Sequence, residues 1–279
     1  MSGSTEPTGV PPIALPWRLR ALNGLDPLIG RWLTPEASAR HYMDAARTAT
    51  GLDDFGPYDV ETAAERLLSM LREEIDLHLF GKIAVSRLLQ RNLENCLKVQ
   101  HAFVEDPSLA EVDVERPIII VCTPRTGSTL LHNLLAQHPN ARAPQMWELH
   151  RPCPPPKPEL ARHDPRIAMS DREFGLYYRL IPEMRAIHYF APQAVEECTH
   201  LFLNTLTCRM SFSVTAGLNS YVRWATELDM VPAYREYKRM LQILTRHYPN
   251  RTLILKSPAH LLCMDALATV FPSARVVHI

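Results

Sequence analysis

The sequence predicts an α/β fold: a P-loop-like parallel sheet flanked by helices, with an N-terminal helical layer. Three observations carry this reading. Apolar runs rich in β-branched residues occur at 117–122, 252–255 and 275–279, as strands buried on both faces of a parallel sheet require. The first two lead through short turns into leucine-rich stretches at helical spacing, and strands alternating with helices favour parallel pairing through crossovers. Residues before 116 carry three helical patterns and no strand.

Residues 1–16 are rich in Pro, Gly, Ser and Thr and read as a flexible leader with little to bury. A single domain is expected over 17–279, with 17–115 as its helical part and 116–279 as its α/β core. Thr34-Pro35-Glu36 has the pattern of an N-cap with proline at the first helical position, opening a helix to about Thr50. Asp59 caps a second helix, in which Leu67, Leu68, Leu71, Ile75 and Leu79 recur at helical spacing. A third spans about 84–104, with Leu88, Leu89, Leu93, Leu97 and Val99 inward. After the strand at 117–122 comes the turn Thr123-Pro124-Arg125-Thr126-Gly127, then an amphipathic helix marked by Leu130, Leu131, Leu134 and Leu135. The proline-rich stretch 152–158 excludes regular helix and central strand. Two or three helices are expected between 171 and 248. The strand at 252–255 runs through Lys256-Ser257-Pro258 into a helix carrying Leu261, Leu262, Ala266, Leu267 and Val270, which Phe271-Pro272 stops. A strand opening at Arg275 reaches the last residue, Ile279, so the core is expected to be incomplete at its C-terminus.

Composition excludes several functions. The 279 residues hold 30 basic and 30 acidic side chains, with 46% hydrophobic residues. A neutral balance lacks the basic field that a nucleic-acid or anionic-membrane surface needs. The six cysteines form no CxxC and no zinc spacing, and read as reduced thiols. No secretory signal opens the chain, and Asn204, Thr205, Thr207 and Arg209 interrupt the apolar stretch 201–218, so no membrane span is expected. A cytoplasmic protein is the expectation.

The sharpest chemical signal is Cys122-Thr123-Pro124-Arg125-Thr126-Gly127-Ser128-Thr129, between a strand and a helix. Unsatisfied amides and the dipole at a helix N-terminus attract anions. Gly127 lets the backbone approach closely, Ser128 and Thr129 add hydroxyl donors, and Arg125 adds a planar charged fork. The assembly suits phosphate or sulfate. It lacks GxxxxGK[ST] and GxGxxG, so it is neither a Walker A loop nor a dinucleotide fingerprint. An ordinary strand-to-helix turn is the plain alternative.

PRTGST after an apolar strand resembles the 5′-phosphosulfate loop of sulfotransferases that use 3′-phosphoadenosine 5′-phosphosulfate (PAPS). The stretch 134–140 (LLAQHPN), Trp147-Glu148-Leu149 before the proline segment, and 255–261 (LKSPAHL) continuing to Phe271-Pro272-Ser273-Ala274-Arg275 extend the resemblance across 17–279. It implies PAPS as co-substrate, with no metal. Arg125 and the backbone of Thr126, Gly127, Ser128 and Thr129 would hold the 5′-phosphate and sulfuryl oxygens. Glu148 would take the acceptor proton, and Lys256 would stabilise the leaving phosphate. A surface or structural carboxylate and a solvated lysine are the plain readings of the last two.

In that family an Arg, followed by a Ser, grips the nucleotide's 3′-phosphate about two residues beyond the position of Ile279. A chain lacking this clamp should bind PAPS weakly, by ~2–3 kcal/mol. The acceptor is expected to be a hydroxyl or amine of a small molecule, lipid or carbohydrate. A non-catalytic anion- or nucleotide-binding fragment is the alternative, and the oligomeric state is not legible. His132 and His260 read as structural histidines, with substrate contact or base as the alternative. Glu196-Glu197-Cys198 with His200 looks metal-like, but the spacing suits a helix-face pair better. Trp147, Phe174, Tyr177, Tyr178, Tyr189 and Phe190 suit either an acceptor pocket or core.

Overall fold

The computed structural model describes residues 15–29, 38–208 and 218–279. Most of the expected leader and the Thr34-Pro35 cap lie outside the described residues. The helical layer comprises α1 (Trp17–Asn23), α2 (Asp26–Ile29), α3 (Ala39–Thr50), α4 (Val60–Glu74) and α5 (Leu79–Glu105). Within the described residues, α3 is capped by Ser38, which accepts from the His41 amide, and Asp59 caps α4 as expected. The pattern expected to continue from Ile75 to Leu79 breaks, because Ile75 turns to extended backbone and Leu79 opens α5. Leu67, Leu68 and Leu71 of α4 and Leu89, Leu93 and Leu97 of α5 are buried. Burial of such side chains contributes on the order of 1.5–3 kcal/mol each.

The sheet is parallel throughout, in the order β2–β3–β1–β4: β1 (Ile118–Val121), β2 (Ala141–Arg142), β3 (Thr252–Lys256) and β4 (Arg275–His278). Three of these strands coincide with the apolar runs. β2, two residues long, was not anticipated, since so short a segment has no period to read. β4 lies at an edge of the sheet with much of its surface exposed. The helices around the sheet are α6 (Ser128–Ala136), α7 (Met146–His150), α8 (Pro165–Leu180), α9 (Met184–Ile187), α10 (Asn219–Glu227), α11 (Val231–Thr245) and α12 (Met264–Val270). One continuous apolar core joins α3–α5, α11 and the inner faces of β1 and β3.

α6 departs from its expected amphipathic face. Leu130 and Leu134 are 67% and 61% exposed, while His132 and Ser128 are the buried positions. Leucines at 130/131 and 134/135 are about 100° apart on a helix, so the stripe alone did not decide which pair faces inward. The helix expected after Lys256 begins instead as a 3-10 turn, Pro258–Cys263, which continues into α12.

Candidate functional site

Parallel pairing determines where the site lies. Ile120 of β1 stands opposite Lys256 of β3, and the Ser257 amide donates to the Ile120 carbonyl at 3.1 Å. Both strands therefore end at one edge of the sheet, the edge at which open α/β folds bind ligands. The turn 123–127 after β1 is exposed. Arg125 and Gly127 both take left-handed backbone, with φ of 71° and 84°. For Gly127 that conformation is free of strain, and a Cβ built there would meet only open space. For Arg125 it costs of order 1 kcal/mol or more, a strain typical of ligand loops. The Thr126 hydroxyl donates to the Thr123 carbonyl at 3.0 Å and closes the turn. α6 then starts at Ser128 with no side-chain cap, so its first amides face the exposed turn. The Arg125 side chain has no partner among the described residues.

Lys256 lies beside this loop. Its side chain is 3% exposed, and Nζ donates to Glu197 Oε1 at 2.6 Å and to Thr129 Oγ1 at 3.4 Å. A single buried ammonium thus bridges the second residue of α6 and the Glu197 carboxylate.

Glu148 is not brought to the loop cluster. It is 2% exposed and forms a bidentate pair with Arg142 of β2 at 2.7 and 3.0 Å. Its Oε2 also accepts the Gln145 amide at 2.7 Å, completing a capping box on α7. Arg142 continues to the Leu244 carbonyl of α11 at 3.1 Å and stacks 4.3 Å from the Tyr248 ring centroid. Both carboxylate oxygens are thereby committed. The geometry places Glu148 in a buried pair that locks β2, α7 and α11 together, the plain reading of this carboxylate.

The neighbouring carboxylates were read differently from the sequence. Residues 191–197 form no helix, and Cys198–Leu203 is a 3-10 turn, so Glu196 and His200 are not a helix-face pair. Glu196 Oε2 instead meets His188 Nε2 at 3.1 Å, and Oε1 accepts the Glu197 amide at 2.8 Å. Burial raises the Glu196 carboxyl's pKa, and the His188 and Glu197 bonds outweigh it, leaving the group below its ordinary value. The same bond raises His188 above the ordinary imidazole value. The stretch carrying these acids docks on α7: the Met146 amide donates to the Ala194 carbonyl at 3.0 Å, and the Glu196 amide to the Pro144 carbonyl at 3.3 Å. No cluster of three or more potential metal ligands occurs among the described residues. In the sequence Glu197 stands out only as part of the metal-like Glu196-Glu197-Cys198 run, since no local pattern points it toward Lys256.

The two histidines are structural. His132 is buried, with Nε2 at 3.1 Å from the Ile254 carbonyl. His260 is sealed between the Tyr234 hydroxyl, 2.6 Å from Nδ1, and Cys198 Sγ, 3.3 Å from Nε2. Burial pushes each down to about 4. The aromatic group divides. Trp147 is core, with Arg166 stacked 4.6 Å from its ring. Phe174, Tyr177, Tyr189 and Phe190, together with the buried Tyr178, form a wall of α8 and 189–190, with Phe174–Phe190 and Tyr178–Tyr189 stacked at 5.9 and 6.1 Å. His188 packs 4.4 Å from Phe190, so this wall adjoins the Glu196–Glu197–Lys256 chain.

The Sulfotransferase family model matches residues 117–279, from the start of β1 to the end of the chain. The fold is similar to that of sulfotransferase STF1 from Mycobacterium tuberculosis H37Rv, with a TM-score of 0.77 and 30% identity over 87% of this chain and 67% of that one. It is also similar to sulfotransferase STF9 from Mycobacterium avium, with a TM-score of 0.76 and 27% identity over 86% of this chain. The chain spans 62% of the length of STF9. No curated protein matches. With more than half its length matched by the family model, the chain belongs to the sulfotransferase family.

Proposed function

We propose that the chain transfers a sulfuryl group from PAPS to a hydroxyl or amine of a small-molecule, lipid or carbohydrate acceptor. The observation that carries this reading is the pairing of an exposed, left-handed anion turn with a buried lysine at the adjoining strand end. The residues fit the donor's anionic end. The amides of 126–129 and the Arg125 guanidinium would hold the 5′-phosphate and sulfuryl oxygens, where charge accumulates as the acceptor attacks. Lys256 would neutralise charge on the departing phosphate oxygen. Helix dipole, guanidinium and ammonium together place positive charge around one small region. The aromatic wall beside His188 gives an acceptor a flat apolar surface, which favours neutral alcohols, phenols, lipids or sugars over polyanions.

Sulfate transfer from labelled PAPS to a panel of alcohols and phenols tests the reading, alongside calorimetry with adenosine 3′,5′-bisphosphate. Transfer that falls at least a hundredfold in Arg125→Ala and Lys256→Ala is expected. Normal rates in both variants would mean that the site is misassigned, and nucleotide binding without any transfer would leave only an anion-binding module.

A further inference from the structure

The proposed reaction needs a proton acceptor beside the loop, and the residue expected to supply it is fully engaged elsewhere. Glu148 has both oxygens bound to Arg142 and the Gln145 amide. The other titratable groups around Lys256 can be taken in turn. His132 is buried against the Ile254 carbonyl, burial likewise pushes His200 down to about 4, and both nitrogens of His260 are engaged in the core. Glu196 spends one oxygen on His188 and the other on the Glu197 amide. Glu197 alone in this group keeps an oxygen without a partner among the described residues: Oε1 accepts from Lys256, and nothing binds Oε2. Its side chain is 16% exposed, enough for a substrate to reach.

From this we infer that Glu197 is the catalytic base, taking the acceptor hydroxyl's proton as the acceptor oxygen attacks sulfur. This inference rests on the proposed sulfuryl transfer and names the residue that completes it. The new bond joins the acceptor oxygen to sulfur. The bond between sulfur and the bridging oxygen breaks, and its electron pair stays on the 5′-phosphate, whose charge Lys256 offsets. The proton passes to Glu197 and returns to water after the products leave. Lys256 holds this carboxylate in place; a donor phosphate would compete for the same ammonium and free that oxygen.

The surroundings hold Glu197 to this task. The His188–Glu196 pair pins its backbone amide, and the Cys198 thiol that follows donates to the Lys256 carbonyl at 3.3 Å. The segment 192–196 hangs on α7, whose capping box pairs Gln145 with Glu148. His188 and Glu196 are accordingly positioning residues, and Glu148 supports them from one layer further out. His188 also presents its partly exposed ring to the aromatic wall, which brings the proposed acceptor surface within one residue of the Glu196–Glu197 pair.

The test uses the full chain with PAPS up to millimolar concentration, single-turnover transfer to a responsive alcohol, and calorimetry with adenosine 3′,5′-bisphosphate. Glu197→Gln should lower the transfer rate 10²- to 10³-fold while nucleotide affinity stays within threefold of wild type. Glu197→Ala should fall similarly and recover at least tenfold on adding formate, which a merely structural residue would not show. Glu197→Asp should retain part of the rate. Transfer by Glu197→Gln within threefold of wild type overturns the inference, as does a rate loss matched by lost nucleotide binding. If His188→Gln, with Glu197 intact, abolishes transfer and Glu197→Gln does not, the imidazole is the base and the inference fails. Wild-type protein that neither binds the nucleotide in an Arg125-dependent way nor transfers sulfate refutes the parent reading itself, a result distinct from transfer that survives loss of Glu197.

Discussion

Replacing Glu148 with glutamine separates a structural from a chemical role for this residue. The substitution keeps shape but removes the charge facing Arg142, whose side chain is only 7% exposed. It weakens two N–H bonds of 2.7 and 3.0 Å and the bond from the Gln145 amide. Removing one partner of a buried ion pair leaves the other uncompensated and costs about 3–5 kcal/mol. At about 2–4 °C per kcal/mol for a chain of this size, the unfolding midpoint should drop on the order of 10 °C. Differential scanning calorimetry or urea unfolding measures this, and sulfate transfer at 20 °C, normalised to folded protein, measures the chemistry. The expected result is a large stability loss with transfer per folded molecule reduced less than tenfold. A companion double variant, Arg142→Met with Glu148→Leu, should be less destabilised than Glu148→Gln, because no lone charge remains buried. A Glu148→Gln protein as stable as wild type but hundredfold slower would refute the reasoning and return Glu148 to the reaction.

Gly127→Ala should cost about 1 kcal/mol, since alanine must adopt φ near 84° although its Cβ meets no atom; an unchanged urea midpoint would contradict the left-handed turn. His132, His200 and His260 are pushed down to about 4 by burial, so the unfolded chain binds protons that the folded one refuses, and stability should fall as pH drops from about 6.5 toward 4. Each fully expressed shift is about 2 kcal/mol between pH 7 and pH 5, readable as a lower urea midpoint at pH 5, and a flat midpoint would show these imidazoles to be solvated. His188 works in the opposite sense, because its bond to Glu196 raises it: its contribution is complete below the unfolded value and fades as pH climbs through the raised one. His188→Gln should therefore remove that fading and flatten the fall in the urea midpoint above neutrality, and an unchanged slope there would show that the pair adds nothing.

Features carried by contiguous residues were legible before any folding was considered. β1, β3 and β4 are apolar β-branched runs, and the turn Thr123–Gly127 carries its strand, its left-handed glycine and its hydroxyls within a few positions. The strand-end lysine could be placed as well, because parallel strands that end together put their next residues at one edge. Only the tertiary structure decided which charged groups meet. Lys256 finds Glu197 across 59 positions, while Glu148 finds Arg142 only 6 positions away, and no local pattern distinguishes the two glutamates. The same holds for α6, where packing against β3 chose His132 over Leu130 and Leu134 as the buried face. Local periodicity reports which residues can share a surface, whereas a buried charge takes its role from whichever opposite charge the fold brings within hydrogen-bond distance.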